Sequence, residues 1–338
     1  MSSPITIKDI AKALNISAST VSRALKDHPD ISRETKDAVN DLAARLRYKP
    51  NAVALSLKNS RTNTIGVIIP EVVHYFFSSV ISGIEDVAYE SGYNVMVCQS
   101  NERYAREIIN AQALESNRVE GALISVSKET HDFTHLQNLQ ENGIPIVFFD
   151  RAPEELEVDK VIIDDRKAAY NATTHLIETG CRRIAHLSTN QTLGIGIQRL
   201  AGYKQALLDH GIPYREDLVI VADSFELAGD ATRNLMHLPV PPDAIFAVND
   251  MTAVGAMKTL QRMSIAVPQK VAIIGFSAGF FSDITTPTLS SVDQHGYEMG
   301  VEAAKLLLER IEKPAEGKHK THFIDTHLVI RESTKRKN

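Results

Sequence analysis

The chain of 338 residues has no tryptophan, two cysteines and only 6% aromatic residues. Cys98 and Cys181 each sit inside an apolar run, so a disulfide-stapled scaffold is excluded and the two read as core thiols. No apolar run reaches the ~18 residues needed to span a bilayer. The opening MSSPITIKDI lacks the basic, apolar and small-residue regions of a secretory signal. These absences predict a cytoplasmic chain with no membrane partner. A GxxxxGK[ST] phosphate loop is missing too, and Gly194-Ile195-Gly196 is no dinucleotide fingerprint because Arg199 stands where its third glycine belongs. The histidines show no zinc-like spacing, and His319 and His322 lie in a charged stretch. No metal or cofactor is expected. Glycine is absent from the first 61 residues, the first being Gly66, and that stretch has one aromatic, Tyr48.

What is present is an ordinary globular composition, 43% hydrophobic and 23% charged. At ~150 residues per domain the length allows two sizeable domains, or a large one with a small appendage. The net charge of −5 hides an asymmetry. Residues 1–61 hold 11 basic against 6 acidic residues, and the remainder holds 26 against 36. A small basic module is joined to a large acidic one, which suggests an anionic partner for one end only.

The basic module has helical periodicity. Ile7, Ile10, Ala11 and Leu14 share one face of a short helix, with Thr6 as cap and Asp9 where a capping box usually has Glu or Gln. Asn15-Ile16-Ser17 breaks the period, and Val21, Ala24 and Leu25 resume it. A third helix follows Ser32 through Val39, Leu42, Ala43 and Leu46. Three short helices, the first two joined tightly, are the plan of a helix-turn-helix. Ala18, Ser19, Thr20, Ser22 and Arg23 then face outward from the second helix: small side chains for close approach, and a guanidinium able to reach a guanine edge or a phosphate. A helix-turn-helix used only for packing is the blander reading, and the outward polar set on a basic module disfavours it. The segment after Pro50 has Asn51 as cap and apolar residues almost all round. It is too short to stand alone and needs a twin, a neighbouring domain or a ligand.

The runs TIKDIAKALNISASTVSRAL, YKPNAVALSLK and TIGVIIP resemble the LacI family of bacterial transcription regulators. So do FFD at 148–150, RLAGY at 199–203, AVNDMTAVGAM at 247–257 and PTLSSVDQ at 287–294, in the same order along nearly the whole chain. The resemblance implies an all-α helix-turn-helix head (1–48) with a hinge helix and linker (49–61). It further implies an α/β periplasmic-binding-protein-like core (62–338) of two doubly wound parallel-sheet subdomains. It places Ala18, Ser19 and Arg23 on bases and Thr6, Ser17, Ser32 and Asn51 on phosphates. Leu57 becomes a wedge in the central base step, with Lys58 beside it on the DNA. The partners implied are a palindromic operator in double-stranded DNA, a second copy of the chain and a small-molecule effector. One head reads only a few base pairs, so two-fold symmetry suits a palindrome.

From Thr64 onward, Val- and Ile-rich runs of strand length alternate with amphipathic stretches, the pattern of parallel sheets covered by helices. By resemblance the chain crosses between subdomains near Asp164, Asp293 and His322. Subdomain one is then about 62–163 plus 294–321, and subdomain two about 164–293 plus 322–338. Open α/β sheets bind ligands beyond the carboxyl ends of their strands. There the sequence puts His74, Tyr75, Phe76, Asp150, Asn249, Asp250 and Ser277, while Arg199 opens a helix. Such groups suit a polyhydroxylated or otherwise polar small molecule, a carbohydrate or related metabolite. Sugar-responsive members of the family commonly carry an Asp after this glycine-aromatic pair, but here Gly275-Phe276 is followed by Ser277.

Two other readings compete. Gly275-Phe276-Ser277-Ala278-Gly279 is a literal GxSxG after a strand, followed by acids and histidines in hydrolase order. No HGG-type oxyanion motif accompanies it, and the expectation is that the chain is not an enzyme. The second alternative is a small-molecule-binding protein whose head has no regulatory output.

Overall fold

A computed structural model describes residues 5–48, 61–313 and 318–336. Contacts divide the chain into two compact units, Met1–Asn63 and Thr64–Asn338. The expected hinge helix, with Asn51, Leu57 and Lys58, lies outside the described residues.

In the first unit α1 (Ile7–Ala13), α2 (Ala18–Leu25) and α3 (Arg33–Arg45) enclose Ile10, Ala11, Val21, Ala24, Val39 and Ala43. The period of the sequence is therefore the period of the core. Thr6 donates its N–H and its hydroxyl to Asp9 Oδ2 at 2.8 and 2.7 Å, so the shorter acid closes the helix start. Ser17 and Ser32 each cap by accepting an N–H, from Thr20 at 3.0 Å and from Thr35 at 3.3 Å. After each helix the chain turns through a left-handed residue, and without glycine these are Asn15, Asp27 and Arg47, at φ 52°, 53° and 51°. Asn and Asp tolerate that region better than other side chains do.

The second unit holds two six-stranded sheets. The first contains β1 (Thr64–Ile69), β2 (Asn94–Gln99), β3 (Ala122–Ile124), β4 (Ile146–Phe149) and β5 (Asp159–Ile163). Its helices are α4 (Tyr75–Glu90), α5 (Tyr104–Ser116) and α6 (Thr134–Glu141). The second contains β6 (Ile184–Ser188), β7 (Val219–Val221), β8 (Ala244–Ala247), β9 (Ala272–Ser277) and β10 (Ser290–Asp293). Around it lie α7 (Asp165–Glu178), α8 (Gly194–Asp209), α9 (Phe225–Met236), α10 (Asp250–Arg262) and the short α11 (Phe281–Ile284). The chain then returns to the first subdomain with α12 (Gly296–Glu312) and β11 (Thr321–Ile324), and ends its strands with β12 (His327–Val329) in the second.

The orders are β11-β5-β4-β3-β1-β2 and β12-β10-β9-β8-β6-β7, the same winding used twice. All pairs are parallel except β10 with β12, so the expectation of parallel sheets needs one correction at that edge. The third passage also falls later than expected. His322 lies inside β11, and the chain changes sheets between Ile324 and His327.

Side chains alternate along each strand. Ile65, Val67 and Ile69 pack toward α4 and α12, while Ile68 joins Ala111, Leu114 and Leu136 on the other face. In the second sheet Phe246 and Ile274 face α7 and α8, while Ile245 and Ile273 face α9 and α10. Burial on both faces is why these strands read as continuous apolar runs. Cys181 is buried, Cys98 is half-buried, and both are free.

Candidate functional site

The carboxyl ends of both sheets open onto one cavity of about 310 Å³ between the two subdomains. Strand ends of the first sheet contribute to it: Glu71, Val73 and His74 after β1, Glu102 after β2, Lys128 after β3, Asp150 and Arg151 after β4. From the second subdomain come Thr189, Asp223, Asn249, Ser277 and Gln294, after β6, β7, β8, β9 and β10. The first turns of helices supply Phe76, Phe77, Ile195, Phe225 and Met251. The second turn of α8 supplies Arg199, which does not open its helix as expected because α8 already starts at Gly194.

Six residues expected at this place are brought together: His74, Phe76, Asp150, Arg199, Asn249 and Ser277. Arg199 is buried and held on three sides. Its Nε donates to Asp165 Oδ1 at 2.7 Å, its Nη1 donates to the Val248 carbonyl at 2.6 Å, and its guanidinium lies 3.7 Å over the Phe276 ring. Asn249 caps α10 by accepting the Thr252 N–H at 2.8 Å, and its amide donates to the Asp223 carbonyl at 3.1 Å. Asp150 and Ser277 both have left-handed backbones, φ 58° and 123°. For residues with a side chain this conformation costs about 1–3 kcal/mol, and such strain gathers at sites where it aims a group.

Two expected residues are elsewhere. Asp250 follows Asn249 but turns inward. Its carboxylate accepts Ser291 Oγ at 2.6 Å, the Gly279 N–H at 2.8 Å and Ser282 Oγ at 2.9 Å, so it fastens the loop after β9 rather than facing the cavity. Tyr75 is half-exposed and stands against Gly279, outside the cavity lining.

Sequence reasoning missed Glu102, Lys128, Arg151, Thr189, Asp223 and Gln294. All six follow strand ends, those of β2, β3, β4, β6, β7 and β10, so the strand-end rule would have found them had it been applied to every strand.

The cations are already matched. Arg151 Nη1 meets Glu102 Oε2 at 2.8 Å, Lys128 Nζ meets Asp223 Oδ2 at 3.5 Å, and Arg199 meets Asp165. Asp150 is different: Arg151 Nε comes only to 3.8 Å. Burial pushes the Asp150 carboxyl up to about 6, and the pull of Arg151 and Arg199 offsets this only in part. For Glu102, burial is outweighed by Arg151, its hydrogen bonds and Lys128, and the carboxyl stays below its usual range.

Ser277 Oγ donates to Gln294 Oε1 at 2.9 Å, not to a histidine, which removes the base that a hydrolase nucleophile requires. Spacing gave no metal-like grouping, yet folding brings His295 and His327 together beside Asp293.

A helix-turn-helix head joined to a doubly wound two-subdomain core with a cleft is the setting for the comparisons. The family profile described as bacterial regulatory proteins, lacI family, matches residues 6–51. The one described as periplasmic binding proteins and sugar binding domain of LacI family matches residues 62–332. The chain belongs to the LacI family of bacterial regulatory proteins. A similar relative of this LacI-family chain is the HTH-type transcriptional repressor PurR of Vibrio atlanticus (strain LGP32). It is 32% identical over 96% of this chain and 96% of its own. Among solved structures, the transcriptional regulator CelR–cellobiose complex is 30% identical, with a TM-score of 0.74 over 97% of this chain and 99% of that one. The lac repressor dimer bound to operator and the anti-inducer ONPF has a TM-score of 0.86 over 98% and 99%, at 22% identity, and shares the fold. The LacI-family chain is a DNA-binding transcriptional repressor, not an enzyme.

Proposed function

We propose that the protein represses transcription as a homodimer on a palindromic operator, and that a neutral polyhydroxylated molecule of the carbohydrate class in the cleft controls it. The head would read DNA with Ala18, Ser19 and Arg23 of α2. Ser17 and Ser32 sit at exposed helix starts, where N–H groups favour phosphate. The effector would be held by Asp150, Arg199, Asn249 and Ser277. Its action in the bacterial cytosol would include residence at the nucleoid.

The pairing of every cleft cation carries the effector class. Arg151, Lys128 and Arg199 each have a carboxylate partner, while Asp150, Glu71 and Glu226 add further acid to the same space. A phosphorylated sugar would meet unbalanced negative charge; hydroxyls would find acceptors in Asp150 and Asn249 and a donor in Arg199. Closing the cleft on such a ligand shifts the two first subdomains of a dimer only through differential affinity, typically ~1–3 kcal/mol.

Two measurements test this reading. Selection of the full-length protein on a random duplex library at near-physiological salt should enrich a palindrome with a deformable centre. Thermal shift against matched neutral and phosphorylated sugars should show stabilisation by a neutral one. A response confined to phosphorylated ligands would overturn the effector class.

A further inference from the structure

We propose that Asp293, His295 and His327 form a binding site for a divalent first-row transition-metal ion, zinc above all, which ties together two of the three passages between the subdomains. Their donor atoms all lie within 4.8 Å of one another. His295 Nε2 and His327 Nδ1 are 2.9 Å apart, with ring centroids at 4.9 Å and planes inclined by 43°. His295 has a left-handed backbone, φ 50°, and its N–H donates to Asp293 Oδ1 at 2.8 Å. A carboxylate has two oxygens, so that bond leaves one for an ion.

Two imidazoles and a carboxylate, with one position open to water, are a zinc donor set; magnesium and calcium would ask for oxygen ligands only. His295 Nδ1 lies 3.8 Å from Glu298 Oε2, beyond hydrogen-bond distance but close enough for the carboxylate to add negative charge beside the ring. Tetrahedral zinc with its ordinary Zn–N distances holds two nitrogens roughly 3.3 Å apart, so the rings must part by a few tenths of an ångström. His327 is exposed and free to turn. The ion would take the place of the hydrogen bond between the two rings. The positive end of α12 opposes a cation here, and Asp293 with Glu298 offsets it.

The place gives the ion a consequence. Asp293 and His295 flank Gln294, whose side chain lines the cleft and accepts from Ser277, and His327 opens β12 after the third passage. Metal would pin the strand that presents Gln294 to the segment beside it. Nothing in the repressor reading depends on this site, and either idea survives failure of the other.

The test is titration of the full-length protein with zinc against a chromophoric chelator at neutral pH. The parent chain should take up a single competitive equivalent. His327→Ala and His295→Asn should each weaken it by about tenfold or more. His327→Cys, loaded with cobalt(II), should show a thiolate-to-cobalt charge-transfer band. Binding by His327→Ala as tight as that of the parent overturns the proposal, as does a cobalt spectrum of His327→Cys without that band. If His295→Asn does not fold, the two variants at exposed His327 decide the matter.

Discussion

Arg199 has two functions that a single substitution would separate. It faces the cleft, and it neutralises buried Asp165, whose carboxyl burial already pushes upward against the pull of this same arginine. Arg199→Ala should abolish the response to effector. It should also cost about 3–5 kcal/mol in urea unfolding, because it strands a buried carboxylate; a variant as stable as the parent would show that Asp165 is not held as described. Asp150 offers a pH test. Its folded value of about 6 lies above the ordinary 3.8, so below that value the empty cleft keeps the proton. A ligand whose hydroxyls donate to the ionised carboxylate must expel that proton. Its affinity should therefore rise with pH through about 6 and level off above. Calorimetric titration of Asp150→Asn should give a flat profile, and an unchanged slope would move the titration to another group. Asp150 was legible because it ends an apolar run, and Arg199 because it stands at the head of the RLAGY stretch, although its helix begins at Gly194. Asn249 and Asp250 were not separable: they are adjacent at one strand end, and only the turn of the backbone into α10 sends one to the cleft and the other into the core.

Elements divide in the same way between the readable and the hidden. The apolar runs of the core that became β1, β3, β4, β6, β8 and β9 are strands buried on both faces, whereas the edge strands β2 and β7 stay partly exposed. β5, β10, β11 and β12 escaped notice because DKVII, SSVD, THFI and HLV are three to five residues long and carry polar side chains that pairing alone explains. Helix pairs hid their key residue in plain sight. Gly83 and Gly300 lie where α4 and α12 cross, and a Cβ on Gly300 would overlap the Val80 carbonyl. Gly202 has the same relation to the Arg166 carbonyl where α8 crosses α7. Gly300→Ala should therefore lower stability by about 1–3 kcal/mol, visible as a lower midpoint in thermal unfolding. Full stability in that variant would mean that the helices separate more easily than their packing indicates.

At the scale of the molecule, the charge difference between the two parts should make operator binding sensitive to salt and effector binding nearly indifferent to it. Each phosphate neutralised by the basic head contributes a log–log slope of about −0.9 to operator affinity. Effector affinity should change by less than about twofold over the same range, since the buried ion pairs of the cleft are poorly screened. Fluorescence anisotropy with labelled operator, run beside effector titrations, would check both, and a flat operator line would contradict phosphate anchoring by the head.

The interleaving of the two sheets also governs synthesis. β11 completes the first sheet, yet it leaves the ribosome only after β6 to β10 have been made. During translation the first subdomain must wait, with the edge of β5 open, while its neighbour is produced, whereas the head is local in sequence and has all its helices at the outset. An arrest at the passage near Asp164 should therefore release nascent chains with a finished head and an unfinished sheet, substrates for a chaperone rather than half of a repressor.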